Sequence, residues 1–236
     1  MRYRNGQQLR LDAIAVRLSV NRRARRISIR IDLGRGEAVA VAPSERRLAD
    51  AVAFVHDRRA WIAERLADRP ESVRFAPGAR IPLFGKPAPL LCAGGAAAAR
   101  LVEHEGATAI LSGGEGDAFA RRVERLLRAE ARRRLGERTL VHAAALGLKP
   151  PTVSIGDPKS RWGSCSPHRN AIRYSWRLVM APPEVLDYVA AHEVAHLVHA
   201  DHSPAYWAVV RAVFGDPKPH RAWLRTHGAA LHAAGR

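Results

Sequence analysis

The sequence predicts an α+β protein. A β-rich N-terminal part with one helix, residues 1–112, precedes a mixed part, residues 113–236, built around a histidine-bearing helix. Three observations predict it. "IAVRLSV", "RRISIRID" and "EAVAVAP" within residues 13–42 alternate apolar and polar positions, the period of strands. "DAFARRVERLLRAEARRRLGERTLVHAAALG", residues 117–147, has the spacing of one long amphipathic helix. Beyond residue 181, two helical patterns flank a turn, with histidines at 192, 196, 199 and 202.

The elements follow in order. The alternating run predicts a small antiparallel sheet. Residues 43–70 then read as a helix, with Ser44 as N-cap, Leu48, Val52, Val55, Trp61 and Ile62 near one face, and Pro70 as terminator. Residues 75–113 are rich in Gly, Pro and Ala and suggest short strands with turns; "GGAAAARLVEHEGATAILSGGEG" fits a hairpin. Gly147 is placed to end the long helix. "PPTVSIGD" and "NAIRYSWRLV" resemble strands separated by a "CSPHRN" turn. "APPEVLDYVAAHEVAHLVHA" starts as a helix at Pro182 or Pro183, where Glu184 complements the helix dipole. Ser203 and Pro204 suit the N-cap and first position of another helix. No repeat at a fixed period is seen.

Composition narrows the function classes. Of 236 residues 47% are apolar, which excludes a disordered chain. The net charge is +17, almost all of the positive charge being arginine, densest in "NRRARRISIR" at 21–30. That balance is compatible with nucleic-acid contact, although the arginines are spread along the whole chain. Two widely spaced cysteines, Cys92 and Cys165, form no disulfide framework and suggest a reducing compartment. The first twenty residues lack a signal-peptide pattern, and no apolar segment reaches the ~18 residues of a membrane helix. The expectation is a soluble, cytoplasmic protein with no membrane partner.

The chemistry concentrates in "AAHEVAHLVHADHSPAYW", residues 190–207. His192 and His196 lie four apart, so a helix stacks both rings on one face within reach of one ion. Glu193 is offset by about 100° and can reach a water on that ion, the logic of H-E-x-x-H. With 11 His and 12 Glu, random placement gives this motif roughly once in 40 such chains. His199 is a poor third ligand. If the helix runs on, it lies about 7.5 Å along the axis from an ion between the first two. His202 serves if the chain turns back, which Asp201 and Ser203-Pro204 favour. His199 is then an outer-layer or, more simply, a surface residue. Cys165 could instead close the site as a fourth ligand, making it structural. The H-E-x-x-H-x5-H spacing has the metzincin length, but His199 stands where metzincins have glycine.

The run "KSRWGSCSPHRNAIRYSWRLVMAPPEVLDYVAAHEVAHLVHADHSPAYW" resembles the YgjP-like metallopeptidase family. Arg161 to Ser166, Asp187, Tyr188, Val189, His192, Glu193, His196, His202, Ser203 and Trp207 match its motifs. Asp201 replaces the usual Asn, and Tyr206 replaces Phe. "VAVAP", "FVHDRRAWI" and "GARIPLFG" extend the likeness upstream, so that it implies one contiguous domain overall. The resemblance implies a zincin-like catalytic part, related in layout to SprT-like proteases, with an active-site HExxH helix. It implies Zn²⁺ held by His192, His196 and His202, with Glu193 as general base in peptide-bond hydrolysis and a peptide or protein as substrate. Residues 170–178 are then a candidate edge strand for the substrate. Tyr174, Tyr206 and Arg161 are candidates for the oxyanion donor. The alternative is a basic nucleic-acid-binding module with a structural zinc, or a protease acting on DNA-associated proteins.

Overall fold

The computed structural model describes residues 3–32, 35–67, 73–158 and 161–235. Sheets come first along the chain and most helices later, a mixed α+β architecture. The chain divides into two compact units, Met1–Glu71 and Ser72–Arg236. The division lies upstream of the 112/113 boundary suggested by composition. The reason is that the strands of 80–112 share a core with the long helix that follows them.

In the first unit, β1 (Gln8–Leu11), β2 (Ile14–Val20), β3 (Ser28–Asp32) and β4 (Glu37–Ala42) form one sheet in the order β1-β2-β4-β3. The sheet is mixed, not antiparallel as expected. β3 returns on the outer side of β4, so β2 and β4 run parallel. The central position of β4 explains its composition: all six residues of "EAVAVA" are buried, and small side chains fit both faces. Its Glu37 is balanced by the Arg17 guanidinium at 2.7 Å. The expected helix over 43–70 is three pieces: a 3₁₀ turn at Glu45–Arg47, then α1 (Leu48–Asp57) and α2 (Arg59–Ala67). Ser44 heads the 3₁₀ turn without a side-chain cap. The break falls at Arg58, whose φ and ψ are −102° and 11°. Leu48, Val52, Val55 and Ile62 are buried against the sheet, whereas Trp61 is 42% exposed. Each such burial contributes about 1.5–3 kcal/mol. Pro70 lies outside the described residues.

The second unit begins with the same plan. β5 (Arg80–Leu83), β6 (Lys86–Cys92), β7 (Arg100–His104) and β8 (Ala107–Ser112) are ordered β5-β6-β8-β7, again with one central parallel pair. This is a structural repeat that no sequence period reveals. The predicted hairpin at 94–116 is β7–β8, turning on Glu105 and Gly106, both with positive φ. α3 (Gly116–Ala145) buries Phe119, Val123, Leu127, Ala131 and Leu135, one residue every four. Gly147 at φ +65° ends it as expected.

β9 (Thr152–Gly156), β10 (Gly163–Ser166) and β11 (Ala171–Ser175) form a three-stranded sheet in the order β10-β11-β9. β11 is paired on both sides, so the segment 170–178 is not the edge. β10 is an edge strand, and it packs on α4 (Pro183–Ala195). α5 (Pro204–Val213) starts at Ser203-Pro204 as predicted, and Ser203 Oγ accepts the Tyr206 N–H at 3.3 Å. α6 (Lys218–Ala233) was not foreseen. Buried Arg177 clamps its end, donating to the carbonyls of Leu231 and Ala234 while pairing with Asp157 at 2.8 Å. Among the described residues no helix is long and apolar enough to cross a membrane.

α3 and α4 are tied by Asp187. Its carboxylate accepts from Arg138 Nε at 2.6 Å and Nη2 at 2.9 Å, and contacts His142 Nε2 at 2.6 Å. Burial alone would raise its pKa, but His142 and Arg138 together outweigh that and hold it below the ordinary value. A depressed carboxylate contributes stability above its unfolded pKa of ~3.9, which is lost as pH falls through the folded value. Asp187→Asn is therefore expected to destabilise the protein by about 2 kcal/mol at pH 7, because two donors lose a charged acceptor. In urea unfolding the gap from wild type should narrow below pH ~4. A gap unchanged by acid would mean that packing, not charge, ties the helices.

Candidate metal centre

The site is built from one helix end and one reversal. α4 carries His192 and Glu193 in its last turn, and His196 caps it. The backbone then tightens: Leu197, Val198 and His199 donate to the carbonyls of Val194, Ala195 and Ala195. Asp201 Oδ1 accepts the Ser203 N–H at 3.2 Å and closes the reversal into α5. His202 is thereby carried back to the first histidine. The Nε2 atoms of His192 and His202 stand 3.4 Å apart. One nitrogen from each of His192, His196 and His202 lies within 4.8 Å of the other two.

This donor set suits a metal ion. Two nitrogens bound at 2.0–2.1 Å with a tetrahedral angle would be ~3.4 Å apart. The other ring nitrogens are occupied in a way that leaves the inner ones free. His196 Nδ1 contacts the His199 carbonyl at 3.1 Å, so it carries the proton and leaves Nε2 as acceptor. His192 Nδ1 lies 3.4 Å from the Tyr188 hydroxyl. His199 thus acts through its backbone. Burial, with smaller effects from His196, His202 and Arg221, pushes His192 down to about 3, and burial lowers His196 as well. Both rings are neutral at pH 7, the form that ligates metals.

Tyr206 organises the three rings. Its own ring stacks on His196 at 4.5 Å and meets His192 and His202 edge-on at 5.4 and 4.9 Å. Its hydroxyl donates to the His192 carbonyl at 2.9 Å. That hydroxyl is therefore committed, as is that of Tyr174, which is buried and bonded to Thr139 at 2.9 Å. Of the three oxyanion candidates, only Arg161 is exposed, and its charge reaches Glu193.

Glu193 is 5% exposed beside the histidines. Burial pushes its pKa up to about 7, partly offset by Arg161. Gly163 on β10 makes this position possible. A Cβ there would meet the Glu193 carboxylate oxygen at 2.4 Å. From Gly163 onwards "RWGSC" is thus a strand, and its glycine accommodates the carboxylate, a role its sequence does not signal. Cys165 is not among the converging donors. Burial, then the nearby Glu193, raise its pKa to about 11, so the thiol is protonated at pH 7. Sequence reasoning gave Tyr188 no role beyond a motif match and missed Arg221; Tyr188 borders His192, and Arg221 lies over the Trp207 indole beside the centre.

Fold and site together define a mixed α+β protein with a three-histidine centre and a buried carboxylate beside it. A family model described as YgjP-like, metallopeptidase domain, matches residues 25–227, and the chain belongs to that family. It is accordingly a metallopeptidase, acting on peptides or proteins. Among solved structures it is similar to the metallopeptidase zymogen of abylysin from Pyrococcus abyssi, with 24% identity, 39% of this chain and 92% of that chain covered, and a TM-score of 0.37. No curated protein matches the chain.

Gly163→Ala tests the packing. The new methyl should drive the Glu193 carboxylate outwards, and its pKa should fall from about 7 towards ~4.3 as it gains water. Carbon-13 NMR titration of the metal-free protein reads this. A midpoint still near 7 would show that the strand yields instead.

Proposed function

We propose that the protein is a zinc-dependent peptidase of the zincin type, with α4 as its active-site HExxH helix. His192, His196 and His202 are the metal ligands, and Glu193 is the general base. The observation that supports this most is the 3.4 Å approach of two Nε2 atoms from opposite sides of a reversal, with a buried carboxylate next to them. Two histidines four apart are common on helices, but the third returned to the same point is exposed, so core burial does not account for it.

When bound, zinc would supply a Lewis acid that lowers the pKa of its water and polarises the scissile carbonyl. The chain's own residues do the rest. Glu193, poised near neutrality, takes a proton from the attacking water and delivers it to the departing amine. The edge of β10 pairs with an extended substrate and lays its backbone beside α4. Arg161 is the candidate for stabilising the developing oxyanion. The two free thiols, Cys92 and Cys165, suit a reducing, cytoplasmic setting.

The test pairs metal content by mass spectrometry with cleavage of casein or a peptide library. Wild type and Glu193→Gln should each hold one zinc, with cleavage about 10²–10⁴-fold slower in the variant. His202→Ala should lose the metal. Zinc in both proteins with no cleavage by either would favour a structural centre, and no zinc in either would overturn the ligand assignment.

A second reading rests on Arg22, Arg23, Arg25, Arg26 and Arg30, all exposed in the first unit. They could place the protein on nucleic acid, near DNA-associated substrates. Random-sequence DNA should then shift in a gel at low salt, with affinity falling steeply between 50 and 200 mM. No shift at low salt would sink this reading.

A further inference from the structure

Beside the histidine centre lies a second concavity of about 520 Å³, lined among others by Trp207, Arg211, Asp216, Pro217, Lys218 and Arg221. Trp207 is shared between the two. Its ring is 5.8 Å from that of His202 and 6.0 Å from that of His192. The Arg221 guanidinium lies over the same indole at 4.7 Å. Its charge also reaches Tyr188 and Tyr206, which touch His192, and so acts at the edge of the centre. Among the described residues, none of Arg211, Lys218 and Arg221 forms an ion pair. Three cations thus face one carboxylate, that of Asp216, which already accepts the Lys218 N–H at 3.0 Å.

We infer that this pocket is a substrate subsite for a carboxylate, placed next to the scissile bond. The inference rests on the peptidase reading of the adjacent centre and adds a substrate class to it. Half-buried Trp207 offers apolar surface for a side-chain stem, and the cations offer charge-assisted donors for its head. Of these, Arg221 is the specificity-determining residue, because it bridges the pocket and the Trp207 wall of the centre. The carboxylate can come from an Asp or Glu side chain or from a peptide's C-terminus, and the two sources are separable.

The experiment measures binding rather than turnover. In the full-length Glu193→Gln chain, calorimetry compares blocked alanine-rich heptapeptides in which one Glu, or one Gln, is moved through each position. At one register the Glu peptide should bind about tenfold tighter at low salt, and the advantage should shrink as salt rises. Adding Arg221→Gln should reduce it to within about twofold; Lys218→Gln should reduce it partly. Arg221 is exposed, so this substitution leaves the core intact. A Gln peptide with a free C-terminus that gains the same Arg221-dependent advantage over its amide would assign the pocket to the terminal carboxylate. Equal binding of all peptides, or an advantage that survives Arg221→Gln, would overturn the inference. Cleavage by wild type separates the two claims. Cleavage without carboxylate preference in binding sinks the subsite alone. Arg221-dependent binding without cleavage of any peptide sinks the peptidase reading and keeps the subsite.

Discussion

The hydrogen bond from the Tyr206 hydroxyl to the His192 carbonyl is the contact on which the centre depends. It joins the last turn of α4 to the first turn of α5. The reversal from His196 to Ser203 is held locally by backbone bonds, one Asx turn and the His196 Nδ1 contact to the His199 carbonyl. Without Tyr206 those bonds would fix the loop's shape but not where His202 points. The tyrosine does both, because the ring below its hydroxyl touches all three imidazoles. A buried phenol without a partner would cost about 1–3 kcal/mol. Tyrosine is tolerated where the family resemblance leads one to expect phenylalanine because the His192 carbonyl lies at 2.9 Å.

The electrostatics of the site follow from burial rather than from charge pairing. The same low-polarity setting pushes His192 down and Glu193 up, so the imidazole stays neutral at pH 7 while the carboxyl titrates near neutrality. A carboxylate paired directly with an arginine would be held ionised and would be a poor proton carrier. Arg161 acts on Glu193 only through space, and the backbone at Gly163 fills the room where a closer partner would sit. Glycine at 163 therefore sets the carboxylate's position and, through its burial, its proton affinity.

What the sequence made legible divides by physical cause. His192, His196 and His202 could be brought together on paper because helix periodicity and the Ser203-Pro204 start are local rules. α3 was legible for the same reason, its buried positions recurring every four residues. β10 was not: "GSCS" has no apolar alternation, since its role is to leave space and present an edge. The parallel pairing of β2 with β4, and of β6 with β8, joins segments separated by a further strand, which no local pattern encodes. Arg221 was illegible because its meaning comes from α6 packing beside α4 and α5, and one arginine among so many carries no signal in a chain of charge +17.

The repeated sheet shows why the family match and the physical unit have different limits. The family model starts at residue 25, after β2 has ended. Yet Val16 and Leu18 of β2 are almost wholly buried, and β2 is the parallel neighbour that covers one edge of β4. Without β2, β4 would expose a backbone edge whose buried N–H and C=O groups need partners. The second sheet repeats the dependence, with β6 in the place of β2 and Leu90 buried opposite Ile110. Residues 8–20 are thus as necessary to the first unit as any matched segment. They carry fold rather than chemistry, and a strand that needs only alternation can change its residues freely.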